Sequence, residues 1–268
     1  MVQLAYNQAP QWVAWRLGGY VDLDDDQGPR AREAIDAWFR WHRSTQLPDY
    51  AAQLARLQSQ VMAPTTPAAV CQWETELLQR ADAALAQVVA PAAAIAVTLT
   101  PVQWQQIERR YEKSNEDWRK DFLQPDLRVR REAHLERNLE RLERLYGRLD
   151  AAQQARVAAA LAASPFDPQA WQQERLARQQ DTLQTLRSLA PEGRAVPAAT
   201  AQAAVRGLLD RWVRSPRPAY AAYQRKLNDH NCHWIAELHN STTPAQRQHA
   251  RERLRGWEAD ALALSRRP

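Results

Sequence analysis

The stretch LTPVQW (99–104) shows how this chain begins its helices. A threonine at the last non-helical position offers its side-chain oxygen to the free backbone N–H groups of the first helical turn. A glutamine three residues later reaches back to the N–H of that capping residue, which completes a capping box. Pro101 stands at the first helical position, where its missing N–H costs nothing. The stretch therefore predicts a helix that begins directly after Thr100.

Related stretches recur at LDDDQ (23–27), LDAAQ (149–153) and TTPAQ (242–246). Each places Asp or Thr three residues before Gln, so each predicts a further helix start. The acidic run DLDDD (22–26) fits the same reading, because negative charge is favourable at the positive end of a helix dipole. It lacks the D-x-D-x-D-G pattern of a calcium loop. The predicted capping residues are Asp22, Thr100, Gln103, Asp150, Gln153, Thr243 and Gln246.

The composition predicts an all-α fold. The 268 residues include only 7 Gly and are rich in Ala, Arg, Gln, Glu and Leu, which favour helices. No alternating apolar and polar run bounded by turn residues stands out as a strand. The most hydrophobic stretch (84–99) is interrupted by Pro91 and is too short to span a bilayer. We expect nine or ten helices in an irregular or elongated bundle without a sheet.

The domain organisation is predicted from the longest break between helical patterns. APEGRAVP (190–197) is the best linker candidate. The main helical region is therefore expected at 1–190, with the LTxxQ-like helices at 99–163. The C-terminal helices, 191–268, are expected to pack on the main region as one domain.

The net charge of +5 invites a nucleic-acid interpretation, but the pattern of charges argues against it. Basic residues alternate with acidic ones, as in RREAHLERNLERLERLYGR (130–148). Such mixing is typical of a solvated helix face with i,i+4 ion pairs. We therefore predict no nucleic-acid partner.

Motifs for the common enzyme classes are missing from the sequence. It contains no G-x-S-x-G, no P-loop and no G-x-G-x-x-G, so no catalytic residue and no cofactor is predicted. The segment DHNCHW (229–234) contains several side chains that could bind a metal. His230, Cys232 and His233 are weak candidates for a metal site. A structural zinc site needs four ligands with paired spacing, which this string lacks. The favoured interpretation is a helix surface with a buried or paired cysteine.

The chain has two cysteines, Cys71 and Cys232, which allow one disulfide. Their spacing does not show whether they meet. In an oxidising compartment a bond between them is expected.

Eleven tryptophans are spread along the chain, and part of them falls on a predicted helix at 99–122. There the aromatic residues recur near the helical period and stand among arginines, which is the composition of a protein-binding surface. The alternative is that other helices cover the stripe. The predicted partner-binding residues are Trp104, Arg109, Arg110, Tyr111, Trp118, Arg130 and Arg131.

The N-terminal part resembles a family of uncharacterised proteobacterial cell-envelope lipoproteins. The resemblance lies in LAYNQAPQWVAW (4–15), YVDLDDDQ (20–27) and WHRSTQLPDYAAQL (41–54), and it continues through KSN (113–115) to YGRLDAAQ (146–153). It covers most of residues 4–160. It implies a signal peptide and a lipid-anchored cysteine upstream of residue 1, hence a periplasm-facing protein held to a bacterial membrane. It implies no known activity.

A second resemblance links residues 99–163 to the Spy/CpxP group of periplasmic proteins, which carry two L-T-x-x-Q motifs before two long helices. Leu99 and Leu149 begin the corresponding stretches here, although Asp150 replaces the second threonine. The resemblance implies a helical protein that binds partly unfolded clients without ATP.

We therefore expect a non-catalytic cell-envelope protein that binds other proteins, and an ATP-independent periplasmic chaperone is one form that this function could take. The alternative is a scaffold or assembly factor with one envelope protein as its partner, and the third candidate is an unrecognised enzyme or metal-binding protein. Contact with a membrane is expected only through the lipid anchor.

Overall fold

A computed structural model describes residues 2–191 and 194–266. In these ranges the chain forms helices and no strand, which confirms the all-α prediction. The described residues form twelve α-helices rather than nine or ten, because residues 2–18 form a helix of their own and a break at Gln87 and Val88 separates α4 from α5. One π-helical turn, His42–Gln46, joins α2 to α3. The helices are α1 (Val2–Gly18), α2 (Gln27–Trp41), α3 (Leu47–Gln60), α4 (Pro67–Ala86), α5 (Val89–Ala96), α6 (Pro101–Phe122), α7 (Leu127–Tyr146), α8 (Ala151–Ala163), α9 (Pro168–Ser188), α10 (Ala198–Val213), α11 (Pro218–Asn240) and α12 (Pro244–Ser265).

The helices pair in a nested order about the α7–α8 turn. Helix α7 packs on α8, α6 on α9, α5 on α10, α4 on α11 and α3 on α12. Helices α7 and α8 also contact α12 and α11, so the tip of this long hairpin lies against its C-terminal arm. The first two helices pack on each other at the open end, where α2 also contacts α5.

The hydrophobic core consists of several clusters that join the two arms of the hairpin. The largest contains Leu149 and Val157 from the middle of the chain together with Leu238 and Leu254 from its C-terminal helices. Another joins α5 to α10 through side chains such as Val89 and Val205. Both clusters combine residues from either side of the predicted boundary between 190 and 191. Glu192 and Gly193 of the predicted linker lie outside the described residues.

Helices α6, α8 and α12 begin with a capping box. At α6 the N–H of Gln103 donates to Oγ1 of Thr100 at 3.3 Å, and the N–H of Thr100 donates to Oε1 of Gln103 at 2.9 Å. Asp150 with Gln153, and Thr243 with Gln246, make the same two contacts at the starts of α8 and α12. These contacts satisfy N–H groups that a helix start otherwise leaves free.

The start of α2 has the same geometry but not at Asp22, so the expectation that Asp22 caps this helix is wrong. Oδ1 of Asp24 accepts from the N–H of Gln27 at 2.7 Å, and Oε1 of Gln27 accepts from the N–H of Asp24 at 3.2 Å. Asp22 lies too far from the first turn and instead accepts from Nε2 of Gln106 at 2.7 Å. The capping pair is therefore Asp24 and Gln27, in register with the other three stretches.

The glutamines of these four boxes bind each other in two pairs. Nε2 of Gln103 donates to Oε1 of Gln27 at 2.6 Å, and Nε2 of Gln153 donates to Oε1 of Gln246 at 2.8 Å. Each amide also donates to a carbonyl two residues before its partner's capping residue; these carbonyls belong to Asp22, Thr98, Arg148 and Ser241. The boxes thus fix helix starts to one another, α2 to α6 and α8 to α12.

A disulfide joins Cys71 of α4 to Cys232 of α11, with the two sulfur atoms 2.03 Å apart. It links the two arms of the nested hairpin across 161 residues of sequence. Cys232 is buried in a small cluster with Val70 and Ala236.

Candidate protein-binding site

The aromatic side chains of the α6 stripe pack against other parts of the protein, and one of them is buried. Trp118 is only 8% exposed, and its ring stacks on those of Phe122 and Trp171 at centroid distances of 5.1 and 5.5 Å. Trp104 and Tyr111 pack against the cluster that contains Ile107 and Leu183. Trp118 is therefore unavailable to a partner, which corrects the prediction for this residue. Trp104 and Tyr111 are half-buried against α9 and the α1–α2 segment, and their part in partner binding stays a prediction.

The arginines predicted with that stripe are divided between different surroundings. The guanidinium of Arg110 lies 5.4 Å from the ring centre of Tyr20, a cation–π contact that fixes it to the α1–α2 segment. Arg109 points to solvent on the same helix. Arg130 and Arg131 lie instead beside an open groove on α7.

This groove has a volume of about 470 Å³ and lies where the end of α6 meets α7, α8 and the segment before α9. Its walls are apolar, with Phe122 from α6, Leu135 from α7, Leu161 from α8 and Phe166 from the following loop. Basic and other polar side chains line the same groove; these are Arg130, Arg131, Glu132, His134, Arg137 and Ser164. The groove thus combines an apolar floor with a positive rim.

The rim keeps an excess of positive charge. Glu132 pairs with Arg128 at 2.8 Å, whereas Arg130, Arg131 and Arg137 have no acidic partner within the described ranges. Arg137 lies 5.0 Å from the ring centre of Phe122 and so remains beside the groove. Unpaired arginines next to apolar surface attract acidic groups, and this electrostatic attraction becomes weaker as salt is added.

A capping contact fixes where the arginine-rich helix α7 begins. Oδ1 of Asp126 accepts from the N–H of Arg128 at 2.7 Å, which starts α7 directly after the QPD turn. The first turn of that helix leaves Leu127 59% exposed and Val129 41% exposed. Sequence reasoning missed this apolar surface, although two apolar residues in the first turn of an arginine-rich helix were the available signal.

His134 also lines the groove, and its ring lies 5.5 Å from that of Phe166. Burial lowers the pKa of His134, and the positive charges of Arg137 and Arg141 lower it further. The imidazole is therefore neutral at pH 7 and adds no positive charge of its own.

The weak metal candidates on α11 do not converge. Cys232 is bonded to Cys71 and so offers no thiolate. Nε2 of His230 lies 2.9 Å from the carbonyl of Ala160, and Nδ1 of His233 lies 2.8 Å from the carbonyl of Asp229. No group of three His, Cys, Asp or Glu side chains suited to a metal occurs among residues 2–191 and 194–266.

The most buried titratable groups are held in specific pairs. His239 donates from Nε2 to the carbonyl of Ala63 at 2.9 Å, so its Nδ1 accepts from the hydroxyl of Tyr146 at 2.9 Å. Burial lowers the pKa of His239 and raises the pKa of Tyr146 to about 12. Tyr6 and His42 form a second such pair, 2.7 Å apart. Each pair satisfies polar atoms that burial would otherwise leave without partners.

Glu174 is a buried carboxylate between two arginines. Its oxygens accept from Nε of Arg217 at 2.6 Å and from Nε of Arg178 at 2.7 Å. Burial alone would raise the pKa of this carboxyl, but the hydrogen bonds from Arg217 and Arg178 outweigh it and lower the pKa. The group is therefore ionised at pH 7 and ties α9 to the start of α11.

No helix in the described part of the chain is both long and apolar enough to cross a membrane.

Comparison with known proteins places the chain in a family. No curated protein and no solved structure matches it significantly. One family model does match, described as "Family of unknown function (DUF6279)", and it covers residues 19–195. The match includes the first three capping boxes, the groove and Cys71, and it ends in the segment before α10. Since it spans well over half of the 268 residues, the chain belongs to this family of unknown function.

Proposed function

We propose that this protein binds segments of other proteins, without catalysis, in the groove between α6, α7 and α8. The observation that carries the proposal is the combination of an apolar floor with three arginines that lack acidic partners in the described structure. The segment it fits is apolar with acidic residues at its sides. Such segments are exposed in partly unfolded proteins, so the groove suits an ATP-independent chaperone of the kind that the Spy/CpxP resemblance implies.

The mechanism follows from the charge and the apolar surface. The rim formed by Arg130, Arg131 and Arg137 speeds encounter with an acidic segment. Burial of apolar side chains against Phe122 and Phe166 then holds the segment, at roughly 25 cal/mol per Å² of apolar area. A groove of about 470 Å³ covers only a few side chains. Binding is therefore weak and reversible, as a chaperone that releases its clients without ATP requires.

The compartment we propose is the bacterial periplasm, with the protein held to a membrane by a lipid upstream of residue 1. The disulfide between Cys71 and Cys232 supports this, because structural disulfides persist in oxidising compartments and are rare in the cytosol. The resemblance of residues 4–160 to cell-envelope lipoproteins supports it independently.

The test is suppression of aggregation of two unrelated, thermally unfolding client proteins. We expect wild type to suppress both, and to do so less well as salt is raised from about 50 to 500 mM. The variant Arg130→Glu/Arg131→Glu should lose most of this activity. Its matched control is Arg251→Glu/Arg255→Glu, which makes the same charge change on the exposed face of α12 and should behave as wild type.

The outcomes separate the proposal from its alternative. If wild type suppresses neither client but retains one envelope protein in a pull-down, the protein is a scaffold or assembly factor. Equal loss in both double variants would show that net charge, and not the groove, is responsible. No suppression and no retained partner would overturn protein binding altogether.

A further inference from the structure

A second cavity lies at the other end of the molecule, away from the arginine-rimmed groove. It has a volume of about 590 Å³, is lined by residues of α1, α2, α5, α6 and α9, and is partly open to solvent. An engineered cavity of about 150 Å³ already binds benzene, and natural small-molecule sites span about 300–1,000 Å³. The cavity is therefore too large to be an ordinary packing defect.

Its lining is hydrocarbon throughout, apart from Gln87. The wall contains no charged or titratable side chain. Trp38 contributes only its ring, because its indole N–H already donates to the carbonyl of Ala84 at 2.9 Å. Sites for polar ligands carry a few well-placed polar groups that orient the ligand, and this one does not. Whatever fills the depth of the cavity must therefore be apolar.

A helix does not fit within the depth of the cavity. A helix with side chains is about 10 Å wide, so a volume of about 590 Å³ would hold little more than one turn. An extended peptide strand would bring backbone N–H and C=O groups into a wall that has almost no partners for them. A single flexible hydrocarbon chain has neither difficulty.

One edge of the cavity is polar. A shallower pocket shares Leu17, Val21 and Ile35 with the cavity and adds Asp22 and Arg32. The carboxylate of Asp22 is already bonded to Gln106, whereas Arg32 is exposed and has no acceptor among the residues described. An anionic head group at the end of a chain bound in the cavity would meet this free guanidinium.

We propose that the cavity binds one acyl chain of an anionic amphiphile, with its head group beside Arg32. The chain is supplied either by a free fatty acid or by a membrane lipid, since both present the same hydrocarbon. Binding transfers the chain from water to an apolar wall, which is favourable in proportion to the apolar area that is buried. This site shares no lining residue with the proposed protein-binding groove, so either proposal stands if the other fails.

The isoleucines provide a direct readout. The chain has four, of which Ile35, Ile95 and Ile107 line the cavity, while Ile235 packs in a different core cluster. In protein labelled at isoleucine δ-methyl groups, dodecanoate should shift the first three NMR signals and leave Ile235 in place. A second titration with a lyso-phosphatidylglycerol below its micelle concentration tests the lipid as the source. If these signals shift with dodecanoate alone, the ligand is a free fatty acid. If they shift with both probes, the cavity also accepts the acyl chain of a lipid.

Two variants test the position of the ligand. Ala34→Trp places a large ring in the cavity and should weaken dodecanoate binding at least about tenfold, whereas Ala203→Trp, on the exposed face of α10, should not. Arg32→Gln should weaken the binding of dodecanoate by about two- to fivefold, as expected for an exposed ion pair, and leave the binding of dodecanol unchanged.

The wild-type titration decides the matter even if Ala34→Trp fails to fold. No shift at Ile35, Ile95 or Ile107 with either probe at millimolar concentration would overturn the proposal. An equal shift at Ile235 would overturn it as well, because that pattern indicates detergent-like unfolding instead of binding in the cavity.

Discussion

Gln27 and Gln103 bind each other face to face across 76 residues of sequence, with Nε2 of Gln103 2.6 Å from Oε1 of Gln27. Both side chains are buried, and each at the same time caps its own helix. One residue type therefore performs two tasks at each position. The oxygen closes the capping box, and the nitrogen joins two helix starts.

This double role predicts a large effect for Gln103→Leu. The substitution removes the hydrogen bond to Gln27 and the one that closes the capping box, and it leaves the carbonyl of Asp22 without its amide donor, so we expect a loss of about 1–3 kcal/mol in the free energy of unfolding. Gln105→Leu, on the exposed side of the same helix, should change it by less than about 0.5 kcal/mol. Urea denaturation of Gln27→Leu, Gln103→Leu and the double variant gives the coupling energy, and a value near zero would contradict the paired arrangement.

The second prediction concerns the cap of α2. Asp24→Ala removes the oxygen that accepts from the N–H of Gln27 and should cost about 1 kcal/mol of stability. Asp25→Ala, one residue further on and exposed, removes the same charge without a capping contact. Equal midpoints of thermal unfolding for the two variants would show that the helix dipole, and not the specific cap, makes this acidic run stabilising.

The third prediction is a loss of stability in mild acid. Burial lowers the pKa of His239 in the folded protein, so below about pH 6.5 the unfolded chain binds the proton more readily than the folded one. Stability is therefore complete above that pH and falls as the pH drops toward the lowered pKa, by at most about 1.4 kcal/mol per pH unit for this group. His42 and His134 act in the same direction.

Two variants, measured by urea unfolding between pH 7.5 and 5, test whether His239 causes this dependence of the free energy of unfolding on pH. His239→Asn should reduce the dependence on pH, because the titrating group is gone. His233→Asn is its control, since that side chain is 56% exposed and lies on the same helix. A slope that both variants leave unchanged would mean that His239 does not titrate in this range.

The fourth prediction concerns the bond between Cys71 and Cys232. Because it closes a loop across 161 residues, its reduction should lower the free energy of unfolding by up to about 4–5 kcal/mol in the chain-entropy treatment. Urea unfolding with and without a phosphine reductant measures this. The double variant Cys71→Ala/Cys232→Ala should show no response to the reductant, and a wild type equally indifferent would rule out the bond in solution.

Much of the fold could be predicted because its signals are local. The low glycine content and the capping residues predict helices, and Thr100, Asp150 and Thr243 stand at the starts that the structure describes. The predicted capping residue of α2, Asp22, is wrong because several neighbouring aspartates offer the same side-chain oxygen. Only the distance to Gln27 distinguishes them, and Asp24 stands three residues before it.

The candidate site was harder to predict because it depends on which helices meet. The spacing of Trp104, Tyr111 and Trp118 shows that they share a face, but it does not show whether that face meets water or α9. Arg130 and Arg131 are near the groove only because α8 and Phe166 close its other side. The pairing of glutamines is equally invisible in the sequence, since it joins boxes 76 and 93 residues apart.

The nested pairing of helices sets the order in which the partners become available as the chain is synthesised. Helices α7 and α8 are neighbours in sequence and close with the least loss of chain entropy, and the outer pairs follow one by one. Helix α3, among the first to emerge, meets its partner only after residues 244–265 have been synthesised, and the disulfide cannot close before residue 232 has appeared. Until its C-terminal partner has been synthesised, the face of α3 that packs on α12 has no partner within the chain.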